Sequence, residues 1–339
     1  FQRKLEEKRN LKSIPLHVVG SPRFDIIQRC PYIYEKEVLD LKKRFGYFIL
    51  INVKYAMANH GENFHKLTEE VVRHPGDFND NQKKFYSNIS SIATKMFKMV
   101  ELVVNCAIDF PKLNFVFRPH PSEGLDFYHD IFSRIENVHV VREGSANPFI
   151  LASIAMIHDG CTTALEAANS GRPIINYRAF SDKFDEYLPS QIGHDAESIQ
   201  DVIDYIRKID ASKIYSYSDN MDELVVSLIE NLSATDSFEK VNELISKYFS
   251  LRKGEPSTYP SKKAIKLWYL KRYLKINGAL IKNRVTGNTN KLQRDQYLLG
   301  KFGGLNEEDI AYKLGQLNHN CGTSIKYEFY NPEIIRIYK

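Results

Sequence analysis

Short apolar runs alternate with helical stretches through the middle of this chain, and that alternation narrows its fold more than any other feature. Tyr47–Val53, Asn114–Phe117, Val138–Val141, Ile154–Ile157 and Pro173–Tyr177 read as buried strands. Between them, Asn81–Phe110 repeats Ile89, Ile92, Met96, Met99, Val100 and Val103 at helical spacing. Gly124–Arg134, Pro148–Ala152 and Thr162–Ser170 read as shorter helices. Strands that alternate with helices pair in parallel, because each crossover lays a helix on one face of the sheet. The fold class expected is therefore α/β, built on a Rossmann-like parallel sheet.

The flanks read differently. Residues 1–20 suggest the end of a preceding domain or a linker, with a helix end over 1–13, a short strand at Ile14–Val19 and a turn at Gly20–Phe24. Glu35–Phe45 is a charged amphipathic helix. Past Gln191 the pattern turns helical, at Ala196–Ile209, Met221–Leu232 and Ser237–Phe249. A break at Arg252–Pro260 separates a domain spanning 21–250 from a basic helical C-terminal extension over 251–339, whose end carries no assignable pattern.

Composition closes off several function classes. With 339 residues there is ample chain for a core. A net charge of +5 is too mild to indicate nucleic acid, and no recognition motif accompanies it. Cys30, Cys106, Cys161 and Cys321 lack C-x-x-C spacing, which argues against a zinc site or disulfide framework and fits a reducing cytoplasm. No apolar run approaches the ~20 residues needed to span a bilayer.

Two loops that follow strands hold the chemistry. The first is Arg118-Pro119-His120-Pro121, with Ser122 next to it. Its prolines stiffen the loop, and an extended backbone turns residues i and i+2 to one side. Arg118 then offers a two-donor fork and His120 a ring donor, which suits a phosphate or carboxylate. The alternative is an ordinary ion pair for Arg118 and a helix cap for His120. The second loop is His158-Asp159-Gly160-Cys161-Thr162-Thr163. Gly160 allows close backbone approach, and Cys161, Thr162 and Thr163 bring amides and hydroxyls to a helix start. The lysine of a Walker loop is missing. Glu166 either closes a capping box with Thr163 or sits near a ribose. His158 and Cys161 lack the companions of a metal site, and Cys161 reads as a packing residue before a nucleophile. Lys54, Asn59 and His60, after the first strand, belong to the same sheet edge, where such sheets bind ligands.

At these residues the chain resembles bacterial surface-carbohydrate (capsule and lipopolysaccharide) biosynthesis proteins of the GT-B glycosyltransferase type. The matching stretches are G-S-P-R-F-D at 20–25, F-I-L-I-N-V-K-Y-A-M-A-N-H at 48–60, R-P-H-P-S-E at 118–123, H-D-G-C-T-T-A-L-E-A at 158–167 and G-R-P-I-I-N-Y at 171–177. The His-Pro pair followed by a Ser/Thr pair is also similar to sialyltransferases and Kdo transferases. What the resemblance implies is the donor-binding, C-terminal half of a GT-B fold using a CMP-linked acidic sugar, with no further cofactor and no metal. By the same resemblance, His120, Thr162 and Thr163 hold the donor phosphate, Arg118 pairs with phosphate or sugar carboxylate, and Glu166 lies near the ribose. The general base is expected outside this chain, in a first domain. Partners implied are the nucleotide-sugar and a glycan or glycolipid acceptor.

Lys262–Arg284 carries eight cations and no acidic residue, interleaved with Leu267, Trp268, Tyr269, Leu270, Tyr273 and Leu274. It reads either as a basic amphipathic helix for an anionic membrane or as a solvated helix packed on its own domain. A cytoplasmic protein, peripheral at the inner membrane face, is the expected location.

Overall fold

The computed structural model describes residues 17–61, 80–180, 187–210, 237–250, 261–285, 304–332 and 334–338. Six parallel strands form the central sheet: β1 Phe48–Asn52, β2 Asn114–Arg118, β3 Val138–Val140, β4 Ala155–His158, β5 Ile174–Tyr177 and β6 His194–Ala196. Their order is β3-β2-β1-β4-β5-β6. The chain runs outward from β1 in one direction and then returns beside β1 to build the other half, so the topology reverses between β1 and β4. This is the doubly wound, Rossmann-like arrangement.

Residues on alternate sides of each strand feed two cores. Ile49, Ile51 and Val53 face α3 (Asp80–Asp109), α4 (Asp126–Phe132) and α7 (Ile199–Asp210), where they meet Met99, Leu102, Tyr128, Phe132 and Val202. Phe48 and Leu50 face α1 (Pro22–Arg29), α2 (Glu35–Phe45), α5 (Ala146–Ala152) and α6 (Thr163–Asn169), against Phe24, Ile27, Phe45, Phe149 and Ala164. Every residue of β1 is buried, as a central parallel strand requires.

Three N-terminal and edge features depart from the sequence reading. The turn expected at Gly20–Phe24 opens α1 instead, with Pro22 in its first turn, where the missing N–H is harmless. No strand is present at residues 17–19; residues 1–16 lie outside the described residues. The polar edge strand β6 was not anticipated. The expected helix at Met221–Leu232 and the break at Arg252–Pro260 also lie outside them.

In the C-terminal extension, α9 spans Lys262–Val285, as its sequence suggested. The unassigned end holds α10 (Glu307–Cys321) and an antiparallel hairpin of β7 (Lys326–Asn331) and β8 (Ile334–Tyr338). The extension is thus not purely helical. It also packs back on the first helices: Lys313 Nζ bonds Glu37 Oε1 at 3.0 Å, and the Lys36 amide donates to the Tyr312 hydroxyl. Ser237–Ser250, α8, meets α1 through the Phe238 amide, which donates to Asp25 Oδ2 at 2.9 Å.

Candidate functional site at the carboxyl edge of the sheet

The strand order reverses between β1 and β4, and the carboxyl ends of the two strands at such a reversal are the usual ligand position in these sheets. Lys54 and Tyr55 follow β1; Asp159, Gly160 and Cys161 follow β4. The two loops meet. The Tyr55 hydroxyl donates to Asp159 Oδ2 at 3.2 Å, and Lys95, from α3, approaches Asp159 Oδ1 at 3.5 Å. A side chain added at Gly160 would come within 3.9 Å of Lys54 Nζ and only 2.4 Å from Ser190 Oγ. Gly160 also has φ +64°, so both its backbone and its surroundings demand glycine.

Lys95 and Asp159 are largely buried and pair with each other. Lys54 is a further cation here, and its ammonium lies 4.6 Å from the Tyr187 ring centre. Although Lys54 reaches solvent, the surrounding protein lowers its pKa by desolvation, Lys95 pushes the same way, and Asp159 opposes both. Tyr55 is fully enclosed, and burial, followed by the nearby Asp159, raises its phenol well above the ordinary value. It therefore stays a hydrogen-bond donor.

Register aligns four polar residues at the strand ends. Asn52 pairs with Arg118 on one side and His158 on the other, and His158 pairs with Asn176. All four lie on the face that carries Phe48 and Leu50. Asn52 Nδ2 donates to Thr163 Oγ1 at 3.0 Å, and Asn176 Nδ2 donates to the Ser190 carbonyl at 2.7 Å.

This row corrects two sequence expectations. Arg118 does not present a free fork. Its Nη1 donates to the Glu143 carbonyl at 2.6 Å, its Nη2 to the Gly144 carbonyl, and its guanidinium lies 4.5 Å from the Phe149 ring centre. Burial lowers its pKa to about 10, with Glu143 opposing. Arg118 therefore fastens the loop before α5. His158 is wholly buried, and its Nε2 bonds the Ile192 carbonyl at 2.8 Å. Burial brings its pKa to about 4, so the ring is neutral. Because a carbonyl only accepts, Nε2 carries the proton, and Nδ1 is a buried acceptor with no partner among the described residues.

The loop after β2 is joined to the loop after β1 by Glu123, a fully buried carboxylate. Its Oε1 accepts from the Tyr55 and His120 amides, both at 2.9 Å, and its Oε2 accepts from the Tyr128 hydroxyl at 2.5 Å. Desolvation raises its pKa, and those three hydrogen bonds oppose the rise. Asn59 and Gly124 exchange hydrogen bonds, Asn59 Nδ2 to the Gly124 carbonyl and the Gly124 amide to the Asn59 carbonyl. His60 bridges Glu123, and the Gly61 amide donates to the Ser122 carbonyl. His120 is exposed, and its Nδ1 accepts from the Ser122 amide at 3.1 Å. The neutral ring then carries its proton on Nε2. The two sequence motifs are not on adjacent strands: β1 and its loop lie between them.

At the start of α6, Thr162 is exposed and Thr163 lies 3.1 Å from Cys161 Sγ. Burial raises the Cys161 pKa, which keeps it a thiol and leaves it a packing residue. The capping box is not formed. Glu166 turns to α1 and pairs with Arg23, and its pKa is raised by burial with Arg23 opposing. Neither sequence reading of Glu166 anticipated that partner. Tyr55, Lys95, Asp159, Glu123 and Ser190 were also missed. Lys95 lies far away in sequence and gives no local signal; Glu123 was visible only as the last letter of a motif. Among the described residues, no group of His, Cys, Asp and Glu is arranged to hold a metal ion.

These features define a doubly wound α/β domain with an ordered, cation-bearing carboxyl edge. No protein-family profile and no curated protein matches the chain. Solved structures with partial likeness include UDP-GlcNAc 2-epimerase from Neisseria meningitidis bound to UDP-GlcNAc, 16% identical over 70% of this chain and 58% of that one, TM-score 0.39. S. aureus MnaA with UDP is 15% identical over 76% of this chain and 60% of its own, TM-score 0.42. The wall teichoic acid polymerase TagF is 13% identical over 69% and 52%, TM-score 0.41. The chain spans less than two thirds of each, and likeness this weak bears no part of the functional reading.

Proposed function

We propose that this chain is the donor-binding domain of a glycosyltransferase of surface-carbohydrate biosynthesis, and that its donor is a CMP-linked acidic sugar such as Kdo or a nonulosonic acid. One observation carries the reading: the loops after β1 and β4 converge at the strand-order reversal and bring Lys54 against the Gly160 turn. An anionic phosphate there meets a cation, backbone that a side chain would obstruct, and the hydroxyls of Thr162 and Thr163. His120, exposed across the β1 loop, is assigned to a phosphate oxygen or the sugar carboxylate. In transfer, an acceptor hydroxyl oxygen bonds to the anomeric carbon while the bond from that carbon to the CMP phosphate oxygen breaks. The hydroxyl proton goes to a base contributed from outside this domain. Lys54, His120 and the 160–163 segment stabilise the charge on departing CMP. The acceptor is a glycan or glycolipid, and the enzyme works in the cytoplasm.

Calorimetric titration of the chain with CMP, CDP-glycerol and UDP-GlcNAc tests the reading. CMP should bind, and Lys54→Ala should weaken it about tenfold or more, as loss of a charge-assisted contact does. Gly160→Ala and the Thr162→Ala/Thr163→Ala pair should abolish binding. Binding of UDP-GlcNAc alone would move the assignment to an epimerase-like enzyme, and of CDP-glycerol alone to a polyol-phosphate transferase. CMP binding with no transfer to any acceptor, even with the domain that supplies the base present, would make the chain a binding module. Undiminished CMP affinity in all the variants would remove the site.

A further inference from the structure

The chain between β5 and β6 passes the carboxyl end of β4 and is fastened there through its backbone. Its turn, Leu188–Gln191, is closed by the Ser190 amide, which donates to the Tyr187 carbonyl at 2.7 Å. The Ser190 carbonyl accepts from Asn176 Nδ2 at 2.7 Å and from Arg178 Nη2 at 2.8 Å. Two residues further on, the Ile192 carbonyl accepts from His158 Nε2. The same segment sets the Tyr187 ring beside Lys54.

The side chain of Ser190 takes no part in this fastening. The residue is 7% exposed, yet its hydroxyl makes no hydrogen bond among the described residues and is not sealed from solvent. It stands against the Gly160 turn. Ser190 Oγ is the nearest side-chain atom to the place that a Cβ at Gly160 would fill, and Lys54 Nζ is 3.9 Å from that same place. A hydroxyl donor and an ammonium thus flank one position beside glycine backbone. A hydroxyl this deep is unfavourable without a partner, and an anionic oxygen suits both groups.

We propose that Ser190 is a further donor-binding residue: its hydroxyl donates to a phosphate oxygen of the nucleotide-sugar, with Lys54 on the same phosphate and Gly160 leaving room for it. This rests on the nucleotide-sugar reading of the site. The contact belongs to neither loop motif, because Ser190 reaches the site only through the crossover from β5 to β6. The structural bonds of the turn run through the Ser190 backbone, so Ser190→Ala removes the contact and keeps the turn.

The test is calorimetric titration of the full chain with CMP and with cytidine, which lacks the phosphate. Ser190→Ala should weaken CMP binding about tenfold or more, as loss of a hydrogen bond to a charged group does, and leave cytidine binding and the melting temperature at the parent's values. Asn176→Ala, which takes a buried donor from the Ser190 carbonyl, should lower the melting temperature as well. Undiminished CMP affinity in Ser190→Ala, beside a loss in Lys54→Ala, would overturn this inference and leave the donor site standing. An equal loss for cytidine, or a melting temperature lowered as in Asn176→Ala, would also overturn it, because Ser190 would then act on shape alone. If the parent binds UDP-GlcNAc and not CMP, and Ser190→Ala weakens that binding tenfold, the inference holds and the CMP assignment falls. Binding of neither nucleotide by the parent would overturn both.

Discussion

Strand β1 and helix α9 are both crowded with large apolar side chains, yet they meet opposite fates. Phe48, Ile49, Leu50 and Ile51 are wholly buried between two layers of helices, whereas Leu267, Leu270, Leu274 and Ile281 are more than half exposed. Composition does not separate them; neighbours do. A parallel strand in mid-sheet has covering helices supplied by its own crossovers, so its apolar atoms are consumed within the domain. Helix α9 touches the β7–β8 hairpin near one end and leaves these leucines open. One region is closed by the fold's own crossovers; the other leaves large apolar side chains exposed.

Three measurements of folding stability would break or sharpen that contrast. The largest effect is expected on the closed side, at Glu123. Glu123→Ala leaves two amides and a phenol without their buried acceptor and should cost about 4 kcal/mol in denaturant unfolding. A loss below about 1 kcal/mol would mean water replaces the carboxylate. Next comes a matched pair of leucines. Leu50→Ala should cost about 3 kcal/mol, as a large-to-small change in a packed core does. Leu274→Ala should stay within about 0.5 kcal/mol. Equal costs would erase the distinction between the two regions.

A pH series adds a subtler measure of closure, through His158. Its pKa falls from an ordinary 6.5 to about 4 on burial, so the native state binds fewer protons than the unfolded chain between those values. Stability from this residue is complete above pH 6.5 and is lost as pH drops toward 4, up to about 3 kcal/mol. His158→Gln should flatten that part of the profile in thermal unfolding. An unchanged slope would assign it to other groups.

Much of this architecture was legible in the chain. The central strands announced themselves through unbroken apolar runs because their burial is nearly complete, and the long helix α3 through helical periodicity because one of its faces packs on the sheet. Strand β6 was not legible: His194 and Asp195 are exposed at a sheet edge and leave no hydrophobic signature. Helix α10 has no buried residue and carries Gly315 within it, so its periodicity is faint. At the site, the loops could be placed but not their wiring. The row Arg118, Asn52, His158, Asn176 exists only through strand register, which no local pattern encodes. Arg118 looked like a ligand-binding fork because residue type does not say which acceptors stand nearby. Its partners at 143 and 144 come from the stretch between β3 and α5, beyond the next crossover.

The single oxygen of Glu123 that accepts from both Tyr55 and His120 has a mechanical implication. Two segments separated by more than sixty residues are pinned to one atom, so neither backbone can shift without straining a bond held by the other. The backbones of the loops after β1 and β2 are thereby tied to each other through one buried oxygen, and Glu123→Ala would leave their spacing to the Asn59–Gly124 pair and the Gly61–Ser122 bond.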